Sequence, residues 1–179
     1  MIYENVVLGR FVARPNRFVA HVEIEGKAEI CHVKNTSRLR ELLLPGAVVS
    51  VQKMVGAHRK TPYDLIAVEH GGIWVNIDSQ APNKLFGEWV LQSGYLGNLD
   101  VLRPETTHGK SRFDFYAESG RRKIFVEVKG VTLVEDGIAR FPGAPTVRGV
   151  KHLRELAACA AEGFEAFVVF IIKRSDVRA

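Results

Sequence analysis

The chain is poor in cysteine and has neither a long apolar run nor a block of like charge. Cys31 and Cys159 are its two cysteines, distant in sequence and without metal-ligand neighbours. That excludes a disulfide framework or a thiolate cluster, and suits a reducing cytoplasmic setting with both thiols buried. The longest apolar run, Ala166 to Ile172, is too short to span a bilayer, and Ile2-Tyr3-Glu4 lacks the features of a secretory leader. No membrane partner is expected. Repeats, low-complexity tracts, a glycine-rich phosphate loop, a nucleophile elbow and a Cys/His catalytic pairing are all missing. These gaps weigh against a nucleotide hydrolase or a protease, and no small-molecule cofactor is evident. His32 and His58 have no spacing that suits zinc.

The chain does carry the composition of a folded domain. Of its 179 residues 46% are hydrophobic and 25% charged, enough to bury a real core. Lys and Arg number 25 against 20 Asp and Glu, a net charge of +5 spread over both halves. Local clusters matter more than this total. They are His58-Arg59-Lys60, Arg121-Arg122-Lys123, Lys173-Arg174, and Arg14 with Arg17, any of which could meet phosphates.

Residues 1–80 read as short strands between turns. Val6–Val12, Arg17–Ile24, Lys27–Val33, Ala47–Val55, Tyr63–Glu69 and Ile73–Ile77 form the set, and residues 37–43 suggest one or two helical turns before Pro45-Gly46. The pattern predicts a small OB-type barrel, a common platform for single-stranded nucleic acid. Phe11, Phe18, Tyr63 and Trp74 supply aromatics, with Phe11 and Trp74 expected in the core; Arg14, Arg17, Arg38 and Arg59 supply cations. Residues 81–179 follow as a second domain. Asn83 reads as a helix cap ahead of an apolar stripe at Leu85, Phe86, Trp89 and Val90. Strands near 96–102, 112–117 and 123–133, a helix over 148–161 and the strand Ala166–Ile172 complete an α/β unit of mixed sheet pairing, α+β overall.

Within that unit, Asp114 lies on one apolar run and Glu127 with Lys129 on the next, across the turn at Ser119-Gly120. Residues two apart on a strand share a face, so Glu127 and Lys129 align, and hairpin pairing would set Asp114 beside Glu127. Two carboxylates and an ammonium suit Mg²⁺- or Mn²⁺-assisted phosphodiester cleavage. The acids hold the cation, and the Lys orients water or offsets charge developing on phosphate. The pattern resembles the PD-(D/E)XK nuclease superfamily, although alternating charges and valines also occur on a solvated hairpin face.

Over its whole length the chain also resembles the sugar fermentation stimulation protein A (SfsA) family. The resemblance rests on Arg14-Pro15-Asn16-Arg17-Phe18, residues 32–39 (HVKNTSRL), residues 43–47 (LLPGA), residues 59–63 (RKTPY), Pro82-Asn83, residues 109–115 (GKSRFDF), Val126-Glu127-Val128-Lys129, residues 141–146 (FPGAPT) and residues 148–153 (RGVKHL). It implies a DNA-binding protein linked to sugar utilisation, with an N-terminal OB-fold and a PD-(D/E)XK nuclease-like domain. It implies Asp114 and Glu127 as metal ligands, the Val128 carbonyl as a further oxygen, Lys129 as the catalytic cation, and Glu88 where some superfamily members add a third acid. Lys60, Arg112, Arg148 and Lys151 join Arg14, Arg17, Arg38 and Arg59 as expected DNA contacts. Arg112 is expected on the face of Asp114, either against phosphate or paired with the acids. Lys151 and His152 open a helix, where a cation opposes the macrodipole unless a phosphate answers it.

Two departures bear on function. The family usually has Asp where Gly143 stands, and its members usually continue beyond the strand ending near Lys173, whereas this chain stops at Ala179. The chain is either a short member or lacks a C-terminal segment. Two functions therefore stand side by side. One is a Mg²⁺-dependent nuclease acting on DNA; the other is a non-cleaving DNA-binding regulator of sugar-utilisation genes that keeps the nuclease-like domain as a scaffold. Retention of Asp114, Glu127 and Lys129 favours the first, and the two departures favour the second.

Overall fold

A computed structural model describes residues 1–56, 59–143 and 147–178, with the side chain of Arg148 outside the described residues. The chain groups into two compact units. One comprises Met1–Gln80, Thr132–Arg140 and Ile172–Ala179, the other Ala81–Val131 and Phe141–Ile171. Among the described residues no helix is long and apolar enough to cross a membrane.

The first unit is built on β1 (Val6–Asn16), β2 (Val19–Ile24), β3 (Lys27–Val33), β4 (Val48–Lys53), β5 (Tyr63–His70) and β6 (Ile73–Asn76). Their order is β3-β2-β1-β4-β5-β6, and a parallel pairing of β3 with β5 closes β1–β5 into the OB-type barrel, with β6 appended. Alternation drives it: Ala20, Val22 and Ile24 of β2 point inward while their neighbours face out. Glu25 and Gly26 both take left-handed φ, 50° and 75°, which suits a two-residue hairpin turn. Gly9 is required by space. A Cβ there would meet Val22 Cγ1 at 2.5 Å and the Glu23 carbonyl at 2.8 Å. Residues 37–43 form a single turn, closed by Leu43 N donating to Leu39 O at 2.9 Å, and it sends Leu39, Leu42 and Leu43 into the core. Phe11 is buried as expected, but Trp74 is 46% exposed. Trp74 lies on the terminal strand of the sheet, where its neighbour Val75 takes the inward position.

The second unit carries α1 (Ala81–Ser93), β7 (Val101–His108), β8 (Ser111–Ser119), β9 (Arg122–Val131), α2 (Val147–Ala161) and β12 (Glu165–Ile172). A two-residue pair, β10 (Val134–Glu135) with β11 (Ile138–Ala139), turns at Asp136-Gly137 and groups with the first unit. The sheet order is β12-β9-β8-β7. Successive residues of β9 serve opposite faces. Ile124, Val126 and Val128 pack with Phe86 and Val90 of α1, and Phe125 packs with Leu156 and Cys159 of α2. A helix thus covers each face of a mixed sheet. Of the expected α1 stripe, Phe86 and Val90 are buried, while Leu85 and Trp89 remain 37% and 44% exposed.

Candidate functional site

The regular alternation breaks at Asp114. Phe115 belongs to the cluster under α1 and Phe113 to the cluster under α2, although an undisturbed strand would send both the same way. The β8–β9 ladder runs from Ser119↔Arg122 to Phe115↔Val126, one position short of Asp114. The β7–β8 ladder skips the position where Asp114 would face Glu105, and Glu105 takes a left-handed φ of 52°. Such distortions beside a strand re-aim side chains.

The freed Asp114 carboxylate is held by two donors. Its Oδ2 accepts from the Val128 amide at 2.7 Å and its Oδ1 from Asn83 Nδ2 at 2.9 Å. Asn83, expected as a cap, is instead inside the first turn of α1 and fixes this acid. On β9, Glu127 is 2% exposed. Its Oε1 accepts from Lys129 Nζ and lies 2.8 Å from His152 Nδ1 on α2, while its Oε2 is buried with no hydrogen-bond partner. Lys129 keeps 19% of its side chain exposed. Glu127 and Lys129 therefore meet as expected. Asp114 joins them through Val128, the residue between them, with its side-chain partner on α1 while that of Glu127 is on α2. The simple picture of two carboxylates side by side on one face is corrected by that break in alternation. His152, expected as a helix-start cation, instead meets Glu127, a partner 25 residues away in sequence. Glu88 is exposed on α1. Among the described residues no three His, Cys, Asp or Glu side chains are grouped to hold a metal.

The barrel presents a groove of about 770 Å³ lined by Arg14, Arg17, Arg38 and Arg40, with no acid among its lining residues. Arg14 does not act there as a free cation. Its Nη1 donates to the carbonyls of Ser37 (2.6 Å) and Arg38 (2.9 Å), and its Nη2 to those of Arg17 (2.8 Å) and Asn35 (2.5 Å). Its Nε is buried without a partner, so no donor is left for phosphate, and burial lowers its pKa. Arg17, Arg38 and Arg40 are exposed, and the Arg17 guanidinium stands 4.8 Å over the Phe18 ring. Arg40 was not singled out in the sequence.

The other expected DNA contacts divide. Lys60 is exposed. Arg59 is tied to the buried Asp64, which also meets Lys34 Nζ at 3.2 Å; Lys34 in turn reaches Asp78 at 3.1 Å. Arg59 therefore anchors a buried acid. Arg112 pairs with Glu105 at 2.8 Å rather than with either site acid, and Lys151 lies 3.7 Å from Glu155 on its own helix. The side chain of Arg148 and the whole of His58 lie outside the described residues.

Both parts of the chain are similar to known proteins. Residues 12–77 match the model of the SfsA N-terminal OB domain, and residues 80–179 that of the sugar fermentation stimulation protein RE domain. A sugar fermentation stimulation protein homolog of Desulfitobacterium hafniense is 60% identical over 99% of this chain and 77% of its own length. That of Clostridium beijerinckii is 51% identical over 99% of this chain and 78% of its own. A solved structure of Pyrococcus furiosus SfsA in complex with Ca²⁺ matches with TM-score 0.90 and 32% identity, over 99% of this chain and 77% of that one.

Proposed function

The chain belongs to the sugar fermentation stimulation protein family, and from that premise we propose that it binds DNA through its barrel and hydrolyses phosphodiesters at a cation site in its second unit. The observation that carries the cation site is the bare Glu127 Oε2. A carboxylate oxygen buried without a donor is costly, and a hard divalent cation, Mg²⁺ or Mn²⁺, would satisfy it. Asp114, pinned at the very next residue of β9, supplies the second carboxylate, and two acids suffice for a cation that keeps water and substrate oxygens in its shell. The Ca²⁺ complex of the Pyrococcus furiosus relative supports a hard-cation site in this family.

When bound, the cation would polarise the phosphodiester and lower the pKa of a bound water. Glu127 and Asp114 would hold it. Asn83 and His152 fix their carboxylates in place. Lys129, partly open to solvent, offsets charge developing on phosphate. Glu88 is exposed on the helix that carries Asn83 and is not grouped with these two acids, so the cation is assigned to Asp114 and Glu127 alone. Arg17, Arg38 and Lys60 supply backbone contacts that grip DNA without reading its sequence.

A second reading, a DNA-binding regulator that cuts nothing, is favoured by one observation: Glu127 Oε1 is already engaged by Lys129 and His152. Calorimetric titration with Mg²⁺, Mn²⁺ and Ca²⁺, run beside cleavage of labelled DNA, separates the two. The nuclease reading expects saturable cation binding and cation-dependent cleavage, both lost in Glu127→Gln and Asp114→Asn. Cation binding without cleavage of any DNA form leaves the regulator. Absence of cation binding at millimolar concentration overturns the metal site.

A further inference from the structure

We infer that the arginine groove of the barrel is a binding site for single-stranded nucleic acid, with an unpaired base stacked on Phe18; this deepens the DNA-binding half of the proposed function and rests on it. The groove is formed by the end of β1, the turn into β2 and the connection from β3 to β4. The connection from β1 to β2 is one of the loops with which barrels of this type bind oligonucleotides, and here the connection from β3 to β4 adds Arg38 and Arg40 to it.

Two features suit a nucleic-acid backbone, and a third points to a single strand rather than a duplex. The exposed guanidinia of Arg17, Arg38 and Arg40 meet no acid among the lining residues, so the groove has no internal counter-ion for its charge. A polyphosphate backbone would provide one. Arg14 then makes the arrangement rigid. One guanidinium holds the carbonyls of both Arg17 and Arg38, fixing the two lips on which those side chains stand and lowering the entropy lost on binding. Phe18 is also held, its amide donating to Asn16 Oδ1 at 2.9 Å and its carbonyl accepting from Val33 N at 2.7 Å. Its ring is 46% exposed and carries the Arg17 guanidinium over it, a ready platform for a base. A duplex keeps its base faces inside the stack and cannot use that ring.

Trp74, also 46% exposed, serves as the internal comparison. It lies opposite Glu69 on the neighbouring strand, an acid that repels phosphate, and no residue of its own strand lines the groove, whereas Phe18, though not itself a lining residue, adjoins the groove through Arg17.

The test is fluorescence anisotropy with one mixed-sequence oligodeoxynucleotide, as a single strand and as a duplex, in chelator so that no cation site takes part. The single strand should bind more tightly. Phe18→Ala should weaken it by roughly 5- to 150-fold, the range for loss of one base–aromatic stack. Arg38→Glu with Arg40→Glu should remove binding, and Trp74→Ala should leave it intact, with thermal melts confirming that each variant is folded. Equal or tighter duplex binding with Phe18→Ala neutral overturns the single-strand inference while DNA binding stands. Undiminished affinity in the Arg variants removes the groove as the site. Failure to bind either form overturns both readings.

Discussion

At Glu127 one carboxylate oxygen answers to two cationic or polar groups and the other to none, and that asymmetry decides how the residue should respond to change. Glu127→Gln keeps the shape of a side chain that is 2% exposed but removes the charge a cation would neutralise. Wild-type protein in Mg²⁺ at a hundred times its dissociation constant should gain about 2.7 kcal/mol of stability by mass action. Glu127→Gln should gain none, a difference that differential scanning calorimetry with and without Mg²⁺ will read. Cys31 offers a separate residue-scale prediction. It is fully buried, and desolvation is the first cause that pushes its thiol from 9.0 to about 12, with Glu29 and Asp64 adding to it. The folded state therefore keeps a proton that the unfolded state releases. The stability this provides is complete below about pH 9 and is lost as pH rises from there towards 12. Urea denaturation between pH 8.5 and 11 should show stability falling in the wild type and a shallower fall in Cys31→Ala, whatever that variant costs at neutral pH. Equal slopes would remove the thiol as the cause.

At the scale of elements, the barrel is tied together by buried charge as well as by its apolar core. Asp64 on β5 and Asp78 after β6 are each 1% exposed, and Lys34, just past β3, bridges them; Lys173 Nζ donates to the Asp78 carbonyl at 3.2 Å. Lys34→Met would leave Asp64 with Arg59 as its cation and Asp78 with the Tyr3 hydroxyl and the Gln80 amide but no ammonium at its carboxylate, and should destabilise by about 3–5 kcal/mol in urea melts. A loss under about 1 kcal/mol would mean that water replaces the ammonium. These acids also mark where sequence reading stopped. The strand Val19–Ile24 was legible because its alternation follows from the pleat, and the D…ExK spacing brought Glu127 and Lys129 together on the same basis; Tyr63–His70 instead buries Asp64, Leu65 and Ile66 in succession. Asp64 and Asp78 carry no local sign of being buried, since their partners are distant in sequence. Asn83 looked like a cap because helix starts favour Asn, yet its amide serves Asp114 thirty-one residues on. Arg14 looked like a phosphate contact until its donors were found on four carbonyls. The distortion at Asp114 breaks the period on which the reading depended, and the two-residue strands of β10 and β11 are too short to show a period.

For the molecule as a whole, a net charge of +5 is too modest to hold nucleic acid by total charge, so the proposed affinity would have to come from a few placed cations. Arg17, Arg38 and Arg40 are the exposed ones in the groove. If these three neutralise three phosphates of a single strand, the logarithm of affinity should fall against the logarithm of salt concentration with a slope of about −2. Affinity should then drop by roughly 20-fold between 50 and 200 mM salt on the same relation. Replacing all three by Gln should bring the slope close to zero, whereas Arg112→Gln should leave it unchanged, because that guanidinium is already paired with Glu105. Anisotropy titrations in chelator at four or five salt concentrations measure each slope directly. A wild-type slope near −2 that survives the triple replacement would move the binding face off this groove. A slope several units steeper would mean that cations such as Lys60 and the Arg121-Arg122-Lys123 cluster contact the same strand. Arg122 would have to leave Glu165 to do so, at the cost of the paired hydrogen bonds its guanidinium now donates at 2.6 Å.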